Sequence, residues 1–314
     1  MTARKEGFSI LGIIAIILVV IVLSIVVLSI FGQLAGIVIS KPCIAEIKVD
    51  FPITDVSEEN NILFPEPRPT AKDVIKLIDE ANERSDISAI VVYIDSPGGE
   101  IIATREIYEN LKSSKKPVVA YLRNIATSGG YYAALGADYI VSEPETVTGS
   151  IGVRATFISF ESLFRNFGIN YTVISSGSMK DMGDIGRNLS DQERAVVKEY
   201  IEEIFQDFKD KVVENRKGRP NFSSSGLETV LDARIISGRK AYSLGLVDEI
   251  GNRKRAFEKA AELSNISEYN ECTLTPTSSL LKMFMQEMLK PINIRIEIPF
   301  YGFGENEKVK VTYS

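Results

Sequence analysis

The chain has 314 residues, 45% of them hydrophobic and 25% charged, a length that allows one large domain or two small ones. Its net charge of −6, with no basic stripe, excludes nucleic acid as an expected partner. With no histidine and two cysteines, the chain has neither a Ser-His-Asp triad nor a zinc ligand set, and no metal or cofactor is expected.

The apolar residues are concentrated near the start. No charged residue occurs between Glu6 and Lys41, and Ile10 to Phe31 is dominated by Ile, Val and Leu. A bilayer crossing needs about 20 such residues, whereas a cleaved signal peptide carries an apolar run of about 7–15 before a small-residue cleavage site. This run is too long for a signal peptide, and Leu34-Ala35-Gly36 is a poor cleavage site, so a retained anchor is expected. Arg4 and Lys5 precede the span, which places the N-terminus in the cytoplasm and everything after Lys41 on the outer face. The expected organisation is a cytoplasmic N-terminus and single-pass anchor over 1–41, a main domain over 42–271 and a tail over 272–314.

Beyond the anchor, strand-like and helix-like stretches alternate. Ile44–Val49 reads as a strand, and the four prolines of Asp50–Thr70 mark a loop. Ala71–Arg84 has helical spacing at Val74, Ile75, Leu77, Ile78 and Ala81. Ile87–Ile94 is continuously apolar, as expected of a strand covered on both faces. A helix over Ile101–Leu111, a strand over Pro117–Leu122, a short helix over Ser128–Leu135 and a strand over Tyr139–Ser142 follow. Then come a helix over Glu161–Phe167, a strand over Tyr171–Ser175 and a long helix over Ser190–Lys217. Ser190 is the N-cap of that helix, and Glu193 sits at the capping-box position. Such alternation predicts an α/β fold with mainly parallel strands. The tail contains an amphipathic, Met-rich helix candidate over Ser278–Leu289 and two strand candidates, Ile292–Ile298 and Lys308–Tyr313. A disulfide between Cys43 and Cys272 is open to an extracytoplasmic domain, but two separate buried thiols are the simpler expectation.

Four short segments contain residues capable of chemistry. Asp95-Ser-Pro-Gly-Gly99 follows a strand and precedes a helix. Its glycines permit a tight turn with backbone N–H groups exposed to a ligand, although any strand-to-helix turn can require glycine. Ala126-Thr-Ser-Gly-Gly-Tyr-Tyr-Ala-Ala134 presents Ser128 at the start of a helix beside the Gly129 amide, the position of either a nucleophile or an ordinary capping serine. Thr148-Gly-Ser-Ile-Gly-Val153 places Ser150 in a small-residue turn. Gly177-Ser-Met-Lys-Asp181 carries Lys180, which in isolation reads as a solvated surface charge. If Ser128 is a nucleophile, the missing histidine leaves lysine as the base.

In this order the four segments resemble the signal peptide peptidase A (protease IV) family of membrane-bound serine proteases. Ile236-Ser-Gly-Arg-Lys-Ala-Tyr-Ser-Leu-Gly-Leu-Val-Asp-Glu-Ile-Gly251 is similar to that family's closing segment, and the resemblance runs from about Ile44 to Leu263. It implies a crotonase-like (Clp protease-like) fold. It also implies a Ser-Lys dyad with Ser128 as nucleophile, Lys180 as general base and Ser150 orienting the lysine. The implied oxyanion hole is formed at Gly99 and Gly129. Short members of the family assemble into homo-oligomeric rings in which Lys180 of one protomer would serve Ser128 of the next. The implied substrates are remnant signal peptides and other hydrophobic peptides cut near the membrane.

Lysine is nearly all protonated at neutral pH, with an ordinary pKa of about 10.4, and burial is what lowers it. Lys180 is therefore expected to be desolvated, with the Asp181 and Asp184 carboxylates turned away from its amine. Three other readings remain: a related membrane protease acting on stomatin-like proteins, a crotonase-fold acyl-binding protein, and a non-enzymatic scaffold.

Overall fold

The computed structural model describes residues 17–27, 41–56 and 69–276. One compact unit extends to Thr275; the unit from Pro276 onward, with the expected tail helix and strands, lies outside the described residues except for Pro276 itself. α1 covers residues 17–27, within the expected anchor. Among the described residues no helix is long and apolar enough to cross a membrane. The remainder of the expected span falls outside them.

The main domain is built on one eight-stranded sheet. Its strands are β1 (Cys43–Val49), β2 (Ile87–Ser96), β3 (Val118–Thr127), β4 (Tyr139–Ser142), β5 (Val147–Gly149), β6 (Ile235–Ser237), β7 (Glu249–Ile250) and β8 (Asn270–Leu274). The spatial order is β6-β5-β3-β2-β1-β8, with β4 bridging β3 and β7 off that path. Every pairing is parallel except β5 with β6. The helices are α2 (Ala71–Glu83), α3 (Ile101–Lys112), α4 (Gly129–Ala134), α5 (Glu161–Asn166), α6 (Asp191–Arg216), α7 (Ser224–Glu228), α8 (Gly238–Ser243) and α9 (Arg253–Leu263).

Period-two alternation sends the side chains of the central strands into two cores. Ile90, Val92 and Ile94 of β2 pack with Val74, Leu77 and Ile78 of α2 and Ile107 of α3. Ala89 and Val91 face the opposite way, against Val119, Tyr121 and Phe257 of α9. This two-sided cover explains why β2 reads as an uninterrupted apolar run.

The strand expected to stop at Leu122 continues to Thr127. Its first half pairs with β4 through Val119–Leu122, and its last residues, Ile125–Thr127, pair with β5. Between them the chain bends, and the register with β2 slips between Ile94 and Ser96. Asp95 spans the slip: its carboxylate accepts from the Asn124 side-chain amide at 2.7 Å and from the Ile125 N–H at 3.1 Å. The polar Arg123-Asn124 pair that interrupts the apolar pattern thus lies at a register slip within one continuous strand.

Two expectations are corrected. Cys43 and Cys272 are not separate thiols but form a disulfide. β1 and β8 are parallel neighbours with Cys43 opposite Asn270, so Cys272, two residues further on, lies on the same face at a Cα separation of 6.1 Å. Tyr171–Ser175 is not a strand: among the described residues it has no partner strand, and Ile174 is 96% exposed.

The disulfide closes nearly the whole domain into a loop, with a sequence separation of 229. Chain-entropy reasoning gives roughly 5 kcal/mol as an upper figure for a loop of that length. Urea unfolding with and without reductant should therefore show a stability loss of about 2–5 kcal/mol on reduction. Identical curves would mean the bond contributes nothing to the folded state.

Candidate active site

The candidate site lies where two turns meet, the one leaving β2 and the one entering α4. Ser96, fully buried, organises the first: its hydroxyl donates to the Phe51 carbonyl at 2.6 Å and accepts from the Gly98 N–H at 3.2 Å. Gly98 follows with φ of +92°, a left-handed conformation that glycine adopts without a Cβ penalty. The Ile53 N–H donates to the Gly98 carbonyl at 3.0 Å, and the Glu100 N–H donates to the Ile53 carbonyl at 2.8 Å. Gly99 is pressed so closely on Ile53 that a Cβ there would overlap the Ile53 carbonyl.

In the second turn Ser128 has φ 53° and ψ −122°, an unusual backbone conformation for a residue with a side chain. Its N–H donates to the Gly149 carbonyl at 2.9 Å, fixing it beside β5, and Ser150 follows with φ 52°. The ordinary capping role does not describe Ser128, because its side chain makes no cap hydrogen bond to α4. Among the described residues the hydroxyls of Ser128 and Ser150 make no hydrogen bond within the chain, and the N–H groups of Gly99 and Gly129 have no acceptor in it.

Ser128, Ser150, Gly99 and Gly129 line one cavity of about 770 Å³. Backbone amides without acceptors beside free hydroxyls give it the means to bind and polarise a carbonyl oxygen. The sequence reading missed much of the wall. Thr104 of α3 lies under Gly129, its hydroxyl buried and without a partner among the described residues. Tyr132 of α4 stacks edge-on with Tyr108 and Phe208, ring centroids 5.3 and 5.0 Å away, and donates to the Asp207 carboxylate at 3.1 Å. Burial, with the Asp207 charge added to it, pushes the Tyr132 phenol well above its ordinary pKa, so it remains a neutral donor. Ile204, Asp207 and Phe208 enter the wall from α6 at i, i+3 and i+4, a spacing that marks one face of the helix without showing what that face borders.

Lys180 lies elsewhere. It is exposed, does not line this cavity, and sits in a turn within residues 153–190, a stretch with little buried surface between β5 and α6. The expectation of a desolvated lysine is therefore not met inside a single chain. The expectation about its neighbours is met. Asp181 is held by Arg187 at 2.9 Å, and Asp184 accepts from the Tyr171 hydroxyl at 2.9 Å and the Gly186 N–H at 2.7 Å.

The sequence pattern of peptidase family S49 matches residues 110–267, and that of Clp protease matches residues 55–144. A Synechocystis protein assigned by inference as a protease is 36% identical over 199 residues, covering 63% of this chain and 70% of that one. An Enterococcus faecium protein assigned by inference as signal peptide peptidase SppA is 30% identical over 76% of this chain and 70% of that one. The chloroplastic serine protease SPPA of Arabidopsis thaliana is 32% identical over 66% of this chain but only 31% of its own length. A solved membrane-bound stomatin-specific protease superposes with a TM-score of 0.48 at 16% identity, over 76% of this chain and all of that one, a likeness too distant to argue from.

Gly98→Ala tests the meeting of the turns. A Cβ there would lie 2.5 Å from the Gly129 nitrogen and 3.0 Å from the Thr127 carbonyl oxygen, on a backbone already at positive φ. The variant should lose about 1–3 kcal/mol of stability in denaturant unfolding and most of its activity together. Retention of both would show that the turns do not need to touch. By its matched sequence pattern and its relatives the chain belongs to peptidase family S49, whose enzyme class is serine peptidase, with a Clp protease-like, mostly parallel α/β fold.

Proposed function

We propose that this chain is a membrane-anchored serine endopeptidase that uses Ser128 as nucleophile and Lys180 as general base to cut remnant signal peptides and other hydrophobic peptides. The observation that carries this reading is the Ser128 hydroxyl. It is held on a left-handed backbone, in a cavity it shares with Gly99 and Gly129, and among the described residues the hydroxyl makes no hydrogen bond and the two glycine amides have no acceptor. In the proposed reaction the Ser128 Oγ attacks the scissile carbonyl while the Lys180 amine takes its proton. The two glycine amides stabilise the oxyanion, and Lys180 returns the proton to the leaving amine. The acyl-enzyme is then hydrolysed by water activated in the same way, and Ser150 orients the amine throughout.

Lys180 reaches the cavity from a neighbouring protomer. Residues 153–190 expose Phe157, Phe167, Ile169, Tyr171, Val173 and Ile174, more large apolar surface than a segment of a free-standing monomer ordinarily leaves in water. Packing this segment against a second copy would cover those side chains and desolvate the amine, lowering its pKa into a useful range. A closed ring gives each protomer the same contact. The anchor is the apolar run around α1, with the N-terminus cytoplasmic and the catalytic domain outside. The Cys43–Cys272 disulfide supports an oxidising compartment for that domain.

Peptidase assays of the full chain in detergent, with apolar peptide substrates, test the dyad. Ser128→Ala and Lys180→Ala should each lower kcat by at least about 10²–10⁴-fold, and Ser150→Ala by less. The wild-type rate should rise with pH along one limb as the lysine loses its proton. Mixing Ser128→Ala chains with Lys180→Ala chains should restore activity, because some interfaces then pair an intact serine with an intact lysine. Full activity of either single variant would end the dyad reading, and failure of the mixture would end the shared-site reading.

A further inference from the structure

A lysine base has a specific enemy: a carboxylate beside it stabilises the ammonium form and raises its pKa. The segment carrying Lys180 places one at the next residue, Asp181, and another at Asp184. Both are engaged away from the amine, but in different ways. Asp184 is taken up locally by the Tyr171 hydroxyl and the Gly186 N–H. Asp181 is taken up by an ion network that begins outside its own turn.

The centre of that network is Arg187. Its Nε donates to the Asp181 carboxylate at 2.9 Å, and its Nη1 donates to Glu193 Oε2 at 2.8 Å, while Nη2 donates to the other Glu193 oxygen. Glu193 is almost fully buried at 1% exposure. It is also fixed by the capping box of α6, where its carboxylate accepts from the Ser190 N–H at 2.8 Å. The guanidinium thus uses two edges at once, one seated on a carboxylate locked to the start of α6 and the other gripping Asp181. The Arg187 hydrogen bond holds the Asp181 carboxyl below its usual range, and the same arginine with the cap holds Glu193 at about 2. Both carboxylates are therefore ionised wherever a lysine base could work, and only their placement decides whether they act on Lys180.

We propose that Arg187, seated on Glu193, is a positioning residue that keeps the Asp181 carboxylate off the Lys180 amine. This rests on the reading of Lys180 as general base and adds to it the device that lets the lysine coexist with an adjacent aspartate. Other charges bear on the amine as well. Asp184 comes from its own turn, and Glu100, Arg105, Arg154 and Asp207 line the cavity it would enter in a second copy. None of these is sequence-adjacent to Lys180, and of them only Asp184 and Arg154 belong to residues 153–190, the segment that carries it.

The test is the pH profile of kcat/KM for the full chain in detergent, with assembly followed by sedimentation. Arg187→Met frees Asp181, and the basic limb should move up by about one pH unit or more, the shift expected when an opposite charge comes within reach. That shift appears as roughly tenfold lower kcat/KM below the limb, with activity recovering at higher pH. Adding Asp181→Asn to Arg187→Met should return the limb to its wild-type position, since the offending charge is gone. Asp181→Asn alone should leave the limb in place, because Arg187 already withholds that carboxylate. An equal loss of rate at all pH values in Arg187→Met, with no rescue by Asp181→Asn, would reduce Arg187 to a structural support and overturn the proposal. If Arg187→Met fails to assemble, Asp181→Asn alone decides: a limb lowered by about one unit would mean that Asp181 already acts on the amine, which refutes the withholding, and an unmoved limb supports it. Activity retained in Lys180→Ala would remove the base itself, a separate failure from an unmoved limb in an enzyme that still depends on Lys180.

Discussion

The cavity depends on one contact, the approach of two backbone turns with no side chain between them. Gly98, Gly99, Gly129 and Gly130 make the contact together. A Cβ on Gly129 would lie 2.6 Å from the Thr104 hydroxyl, and one on Gly130 would lie 2.7 Å from the Ser96 carbonyl oxygen. The Thr127 hydroxyl fastens the two turns by donating to the Pro97 carbonyl at 3.2 Å. Because the turns meet backbone to backbone, the amides of Gly99 and Gly129 open into the same space as the Ser128 hydroxyl. The slip of β3 past β2, stitched by Asp95, makes the approach feasible, since it carries the end of β3 across to β5 and brings Ser150 alongside Ser128. The sheet's irregularity and the candidate site therefore have the same origin.

The segment bearing Lys180 is arranged on the opposite principle, with a core-anchored root and an exposed end. α6 is anchored where it ends: Arg216, 2% exposed, donates to the Gly245 carbonyl at 2.8 Å and to both oxygens of Asp248 at 3.0 and 2.7 Å. Asp248 also accepts from the Ile140 N–H at 2.8 Å, so the pair ties α6 to β4 and β7. Removing one member of such a buried pair costs about 3–5 kcal/mol, because the other is left charged and unpaired. Phe208 and Val212 of the same helix are buried in the core, whereas Val196 and Tyr200 nearer its start are exposed. The network of Arg187, Asp181 and Glu193 sits at that outer end. α6 thus links a core-anchored root to the turn bearing Lys180.

The sequence disclosed those parts of the fold in which a segment's own residues decide its state. The continuous apolar run of β2, the helical stripe of α2 and the capping box at Ser190 all stand as their local chemistry indicates. Elements fixed by non-local partners were not legible. β3 continues beyond Leu122 because β5 and Ser96 of β2 pair with its last residues, and the disulfide follows from a register between strands more than two hundred residues apart in sequence. Tyr171–Ser175 has strand composition but no strand partner among the described residues, and composition alone cannot supply one. In the site, Ser128 and the glycines were marked by their own turns. The wall contributed by Ile204, Asp207 and Phe208 became meaningful only when α6 was seen to cross the cavity.

The missing histidine and the exposed lysine lead to one consequence under the proposed mechanism. Imidazole has an ordinary pKa of about 6.5 and can act as a base near neutrality in a partly hydrated site; an ammonium group needs several units of depression, which requires removal from water. A single chain leaves Lys180 exposed to water. On that mechanism a single chain would carry the nucleophile and the oxyanion site but lack a working base until another protomer covered residues 153–190. Burying the exposed apolar side chains of residues 153–190 and drying the lysine would be the same physical event. The hydrophobic gain that drives assembly would also supply the desolvation that activates the base, and under that mechanism the use of lysine in place of histidine would make catalysis conditional on assembly.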